Sequence, residues 1–127
     1  MFAIYDYTYF PIIKVDLSGS ITTNNEFTNF TSEWLNIYKY KTNFELEFNT
    51  INIGYINPIY CLYMVIFIKS IKKINPQYLQ KSKIYIYNRY IFKLAKYIFY
   101  LEAPVAPVEL ILINNNSSKL YAYFNPL

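Results

Sequence analysis

The chain has 127 residues, a formal net charge of +4, 54% hydrophobic and 21% aromatic residues, one Cys and no His. Such an apolar load excludes a disordered chain, and a lone thiol without imidazole excludes an internal disulfide and leaves no Cys/His metal set. This length predicts one domain with a core of its own.

Residues 2–9, FAIYDYTY, alternate loosely and predict a half-buried strand. Asp6 interrupts them and no basic region precedes them, so a secretory signal is not expected. Pro11 marks a bend, and IIKVDLSGSI (12–21) predicts a second strand paired with the first as a hairpin, although no Asn-Gly or Asp-Gly turn joins them. A helix starts near Thr23, which forms a capping-box pattern with Glu26. Phe27, Phe30, Trp34 and Tyr38 recur on one face of it, with Leu35 beside them, and read as core.

FELEF (44–48) alternates strictly and predicts a strand with Glu45 and Glu47 on a wetter face. It continues through Thr50 to Ile53, and Gly54 is expected to open a loop. Asn57-Pro58 predicts a helix start, because Asn caps free N–H groups and Pro tolerates the first position. That helix runs to about Ile74. Its centre, IYCLYMVIFI (59–68), is apolar nearly all round and is expected to pack between neighbours. Ten residues are too few for a bilayer, which needs about 20.

Residues 77–83 read as a polar connection, 83–88 as a strand and 89–101 as a third helix. In that helix Arg89, Lys93, Lys96 and Tyr100 oppose Ile91, Leu94, Ala95 and Ile98. VELILI (108–113) is the last expected strand. Residues 114–127 are read as a polar linker and a short apolar tail outside the domain. Asn29, Asn115 and Asn116 begin Asn-x-Ser/Thr triplets, read as chance matches in an Asn-rich chain. The order β-β-α-β-α-β-α-β predicts a single α/β domain over residues 1–113, with a mixed, mostly parallel sheet and an N-terminal hairpin.

This order resembles the STAS domain, the fold of bacterial anti-sigma-factor antagonists, over roughly residues 10–113. IIKVDLSGSI resembles that family's second strand, FELEFNTINIGYINPIYCLYMVIFIKSI its central strand, loop and buried helix, and KSKIYIYN with PVELILI its closing units. GSITTNNEFTNFTSEWLNIY followed by FELEFNT is similar to the SiaC branch. The resemblance implies a regulatory protein-interaction module whose partner contacts lie around Gly54, Tyr55, Asn57 and Pro58. Typical antagonists carry a phosphorylatable serine at the start of the central helix; here the position reads Asn57-Pro58-Ile59. Thr50 is the remaining candidate phosphoacceptor, against the alternative of a strand-end Thr bonding backbone.

Catalytic chemistry is not expected. No His supplies a base near neutral pH. Cys61 sits in an apolar run and reads as a small buried hydrophobe rather than a nucleophile, and Glu45 with Glu47 reads as a solvated strand face. Gly19 and Gly54 are the only glycines, too few for a phosphate loop. No cofactor and no metal is expected.

Charge is uneven. Residues 69–96 carry Lys69, Lys72, Lys73, Lys81, Lys83, Arg89, Lys93 and Lys96 and no acid, which suits either a solvated face or a basic surface for nucleic acid. Abundant Ile, Asn, Lys, Tyr and Phe suggest an AT-rich genome, such as that of a large DNA virus or an AT-rich protist. A non-enzymatic regulatory module is therefore the leading expectation. A structural component of a larger assembly, such as a large DNA virus particle, and a nucleic-acid binder are the alternatives, in the cytoplasm or, if viral, in a virus factory or virion.

Overall fold

Strict alternation through residues 44–50 builds the middle of the sheet. The computed structural model describes residues 2–114 and 118–127. Its elements are β1 (Ala3–Asp6), β2 (Ile12–Ile21), α1 (Asn24–Ile37), a 3-10 turn (Tyr38–Tyr40), β3 (Phe44–Ile56), α2 (Ile59–Ile71), β4 (Leu79–Ile86), α3 (Arg89–Leu101), β5 (Val108–Ile113) and β6 (Lys119–Phe124). The strands form one sheet in chain order; β2 to β5 are parallel, and β1 and β6 are antiparallel edges. The α/β class and the antiparallel N-terminal pair read from the sequence are both present.

All three helices cover the same face of the sheet. In register, Ile13, Leu46, Ser82 and Val108 form one row of that face, and Val15, Phe48, Ile84 and Leu110 the next. Phe30, Trp34 and Ile37 of α1 and Tyr60, Phe67 and Ile71 of α2 pack on its β1–β3 side. Ile91 and Phe92 of α3 pack with Ile86, Leu110 and Leu112 at the other. Among the described residues the opposite face carries no helix, which is why Glu45 and Glu47, alternating with the core residues of β3, point to it.

The helix starts follow from local chemistry. Thr23 accepts the Glu26 N–H at 3.3 Å, and the Glu26 carboxylate accepts both the Thr22 and Thr23 hydroxyls at 3.1 Å. Asn88 caps α3 by accepting the Ile91 N–H at 2.8 Å. Tyr5 and Tyr7 tie β1 to α1: the Tyr5 hydroxyl donates to the Phe30 carbonyl at 2.8 Å and the Tyr7 hydroxyl to Glu33 Oε1 at 2.7 Å.

Three expectations change. First, the tail is not outside the domain: Lys119–Phe124 pairs with β5 over its whole length. KLYAYF alternates, and Phe124 meets Phe99 and Tyr100 with ring centroids 5.5 and 5.6 Å apart, so the tail extends the apolar face that α3 covers. The Asn115 and Asn116 triplets lie outside the described residues. Second, β3 is not interrupted at Gly54 but runs to Ile56. Two irregularities against β2, between Asp16 and Ser18 and between Gly19 and Ile21, each add one residue to β3. Such bulges restore the facing of a strand, and here they keep Ile53 and Ile56 packed against the core. Third, α2 does not pack between neighbours on every side; its outer side meets solvent.

Candidate functional site

α2 has more apolar residues than the sheet can cover. Tyr60, Cys61, Val65, Phe67, Ile68 and Ile71 face inward. Ile59, Leu62, Tyr63 and Ile66 recur at helical spacing on the outer side, and all four are exposed, Ile66 by 64%. α3 extends this surface. Tyr90, Tyr97 and Leu101 are exposed and share one flank of their helix by 3.6-residue periodicity. Two contacts turn that flank toward α2: the Tyr90 hydroxyl donates to the Ile56 carbonyl at 3.2 Å, and Glu102 meets Lys69 and Lys72. Contiguous exposed apolar area of this kind marks interaction sites.

The rim is basic. No Asp or Glu occurs between Glu47 and Glu102. Lys69, Lys72 and Lys73 lie at the end of α2, and Arg89, Lys93 and Lys96 lie along α3. Glu102 is the one acid in this layer after α3. The hydrogen bond from Lys72 holds its carboxyl below the usual range against an opposing effect of desolvation, with the charges of Lys72 and Lys69 adding to the lowering.

The eight cations singled out from sequence do not share one surface. Lys81 and Lys83 lie on the helix-free face of the sheet. There Lys81 is in register with Glu45, and Lys83 stands between Glu47 and Glu109. With Asp6 opposite Lys14 and Lys14 opposite Glu47, acids and lysines alternate across five strands. Tyr85 lies on the same face, between Asn49 and Ile111.

Gly54, Tyr55, Asn57 and Pro58 cluster where β3 passes into α2, at the Ile59 end of the apolar stripe. Asn57 Oδ1 accepts the Ile59 N–H at 3.1 Å, so Asn57 caps the helix as its type suggests. The Tyr55 side chain is exposed, and its N–H donates to Ser20 Oγ at 2.9 Å. Thr50 is 5% exposed, and its hydroxyl donates to the Tyr85 carbonyl at 2.8 Å. The candidate phosphoacceptor is thus held inside the domain. Cys61 is also buried, and burial pushes its thiol up, away from the reactive thiolate.

Between the sheet and the helices lies an apolar cavity of about 160 Å³. Phe48 and Ile84 of the sheet, Met64 and Ile68 of α2, and Leu94 and Ile98 of α3 are among its walls. Thr50, Ser82 and Cys61 also line it. Among the described residues, no helix is long and apolar enough to cross a membrane and no group of three or more ligating side chains could hold a metal.

No protein-family model, no curated protein and no solved structure matches this chain.

The outer stripe of α2 was the feature sequence reading missed. Its signal was present: a helix apolar on all sides, in a domain whose sheet is covered on one face only, must expose part of itself. That one-sided cover follows from the order of the strands.

Proposed function

We propose that the protein is a non-enzymatic interaction module of STAS-like type that binds another protein through the outer faces of α2 and α3. The exposed stripe Ile59, Leu62, Tyr63 and Ile66 carries this reading. The cations at the end of α2 and along α3 select the occupant: an amphipathic helix with an apolar face and acidic flanks, laid along α2 as in helix-in-groove recognition. A second copy of the chain is disfavoured, because it would bring like charges together around the same stripe. The strand and helix order supports a STAS-like regulator. With Thr50 buried and no hydroxyl at Asn57-Pro58-Ile59, this module would bind without the serine switch.

A nucleic-acid reading draws less support, since Lys81 and Lys83 are matched by acids on the far face of the sheet. The assembly reading keeps one observation in its favour: β6 is an edge strand, with no further strand paired to its outer side among the described residues.

The test is recovery of the tagged protein from its native cell with nuclease present, alongside an Ile66→Asp variant. A stoichiometric protein partner held by the wild type and lost from Ile66→Asp is the expected result. Binding to anionic vesicles in place of a protein, or a partner held equally by both forms, would contradict it.

A further inference from the structure

We propose that the cavity between the sheet and α2–α3 is a binding site for one small apolar molecule of about benzene size, with Ser82 available to hydrogen-bond a single polar substituent. Three observations support this. The volume, about 160 Å³, is that of an engineered 150 Å³ protein cavity known to stay dry and to take up benzene. The walls are mostly apolar side chains, Phe, Ile, Leu and Met among them, which offer a ligand dispersion contacts that an empty space forfeits. The polar groups are few: water needs two to four partners to settle in such a space, the Thr50 hydroxyl is already committed to the Tyr85 carbonyl, and besides Ser82 the lining residue Trp34 has a buried indole N–H without a partner among the described residues. Ser82 is 5% exposed and stands in the core-facing row between Leu46 and Val108. A hydroxyl offers one donor and two acceptor positions, so it can meet a hydroxyl or amine on an otherwise apolar ring. A larger aliphatic residue at position 82 would have filled part of the space.

The site lies between the sheet and the helices and the α2 stripe on the helices' outer side, so each reading stands or falls without the other. The experiment is a titration of the full chain with benzene and with phenol, read by methyl NMR and by thermal unfolding. The expected result is saturable shifts at Ile68, Met64 and Ile84 and a rise in Tm with either probe. Ser82→Ala should weaken phenol by about five- to tenfold while leaving benzene within about twofold, as loss of one hydrogen bond requires. Ala95→Leu, which projects into the cavity from α3, should abolish both. Absence of saturable shifts in the wild type would overturn the proposal, as would identical shifts in a folded Ala95→Leu protein. The wild-type titration decides even where a variant fails to fold.

Discussion

Ser20 Oγ occupies the space that a Cβ on Gly54 would need, 2.7 Å from its position, with the Gly19 carbonyl oxygen 3.3 Å away. The same Ser20 oxygen accepts the Tyr55 N–H, so the glycine lets two strands approach at a bulge and the serine closes the gap. Gly54→Ala must displace Ser20 and break that bond. We expect a loss of about 1 kcal/mol, measured by urea unfolding. In a Ser20→Ala background the same change should cost clearly less, because the clash has been removed.

Lys83 offers a test of the helix-free face. It stands in register between Glu47 and Glu109, so Lys83→Glu would set three like charges in a row. Directly opposed like charges cost roughly 0.2–1 kcal/mol per pair, and two pairs are created. Lys83→Glu should therefore be less stable than Lys83→Gln by about 1 kcal/mol at low salt, and added salt should narrow the gap. A gap unchanged by salt would place the effect elsewhere.

The Glu102 carboxyl sits below its ordinary value of 4.5, chiefly through the Lys72 hydrogen bond. A depressed carboxylate contributes stability that is complete above the ordinary value and is lost as pH falls through the folded one. The stability difference between wild type and Glu102→Gln should thus be constant at neutral pH and shrink below about pH 4.5. NMR titration of the Glu102 side chain should show its midpoint move upward in Lys72→Met.

At the alkaline end, burial pushes the Tyr38 phenol from 10.0 up to about 12, and its hydroxyl donates to Gln77 Oε1 at 2.6 Å. A raised value means the folded state keeps the proton more tightly. Its contribution is complete below pH 10 and is lost as pH climbs toward and through 12. Stability of the wild type should fall more steeply between pH 10 and pH 12 than that of Tyr38→Phe, a window set by the phenol's ordinary and folded values. Fluorescence of Trp34, one turn away on α1, can follow the unfolding.

Local chemistry made most elements legible. The Thr23–Glu26 cap, the FELEF alternation and the Asn57-Pro58 start each appear where side-chain type requires them. Pattern reading placed Phe30, Trp34, Phe44, Leu46 and Phe48 in the core, where they are buried. What it could not supply was tertiary. The tail read as a linker because its polar approach resembles a boundary, and only the exposed edge of β5 gives KLYAYF a strand to pair with. Gly54 read as a loop opener because its tolerance of close approach to Ser20 depends on a strand 34 residues earlier in the chain. The basic run read as one surface because lysines close in sequence fall on opposite sides of a sheet.

The most direct test of the account is the outer face of α2. Ile66 is exposed by 64%, so Ile66→Asp and Leu62→Asp remove apolar contact area without opening the core. Each should leave urea stability within about 0.5 kcal/mol of wild type, as for other surface changes. Binding of a partner helix with an apolar face and acidic flanks, measured by isothermal titration, should weaken by tenfold or more, about the loss of one central interface contact. Charge reversal at Lys93 should weaken it further at low salt. Unchanged binding in both variants, with the fold intact, would contradict the claim that this face is where the protein works.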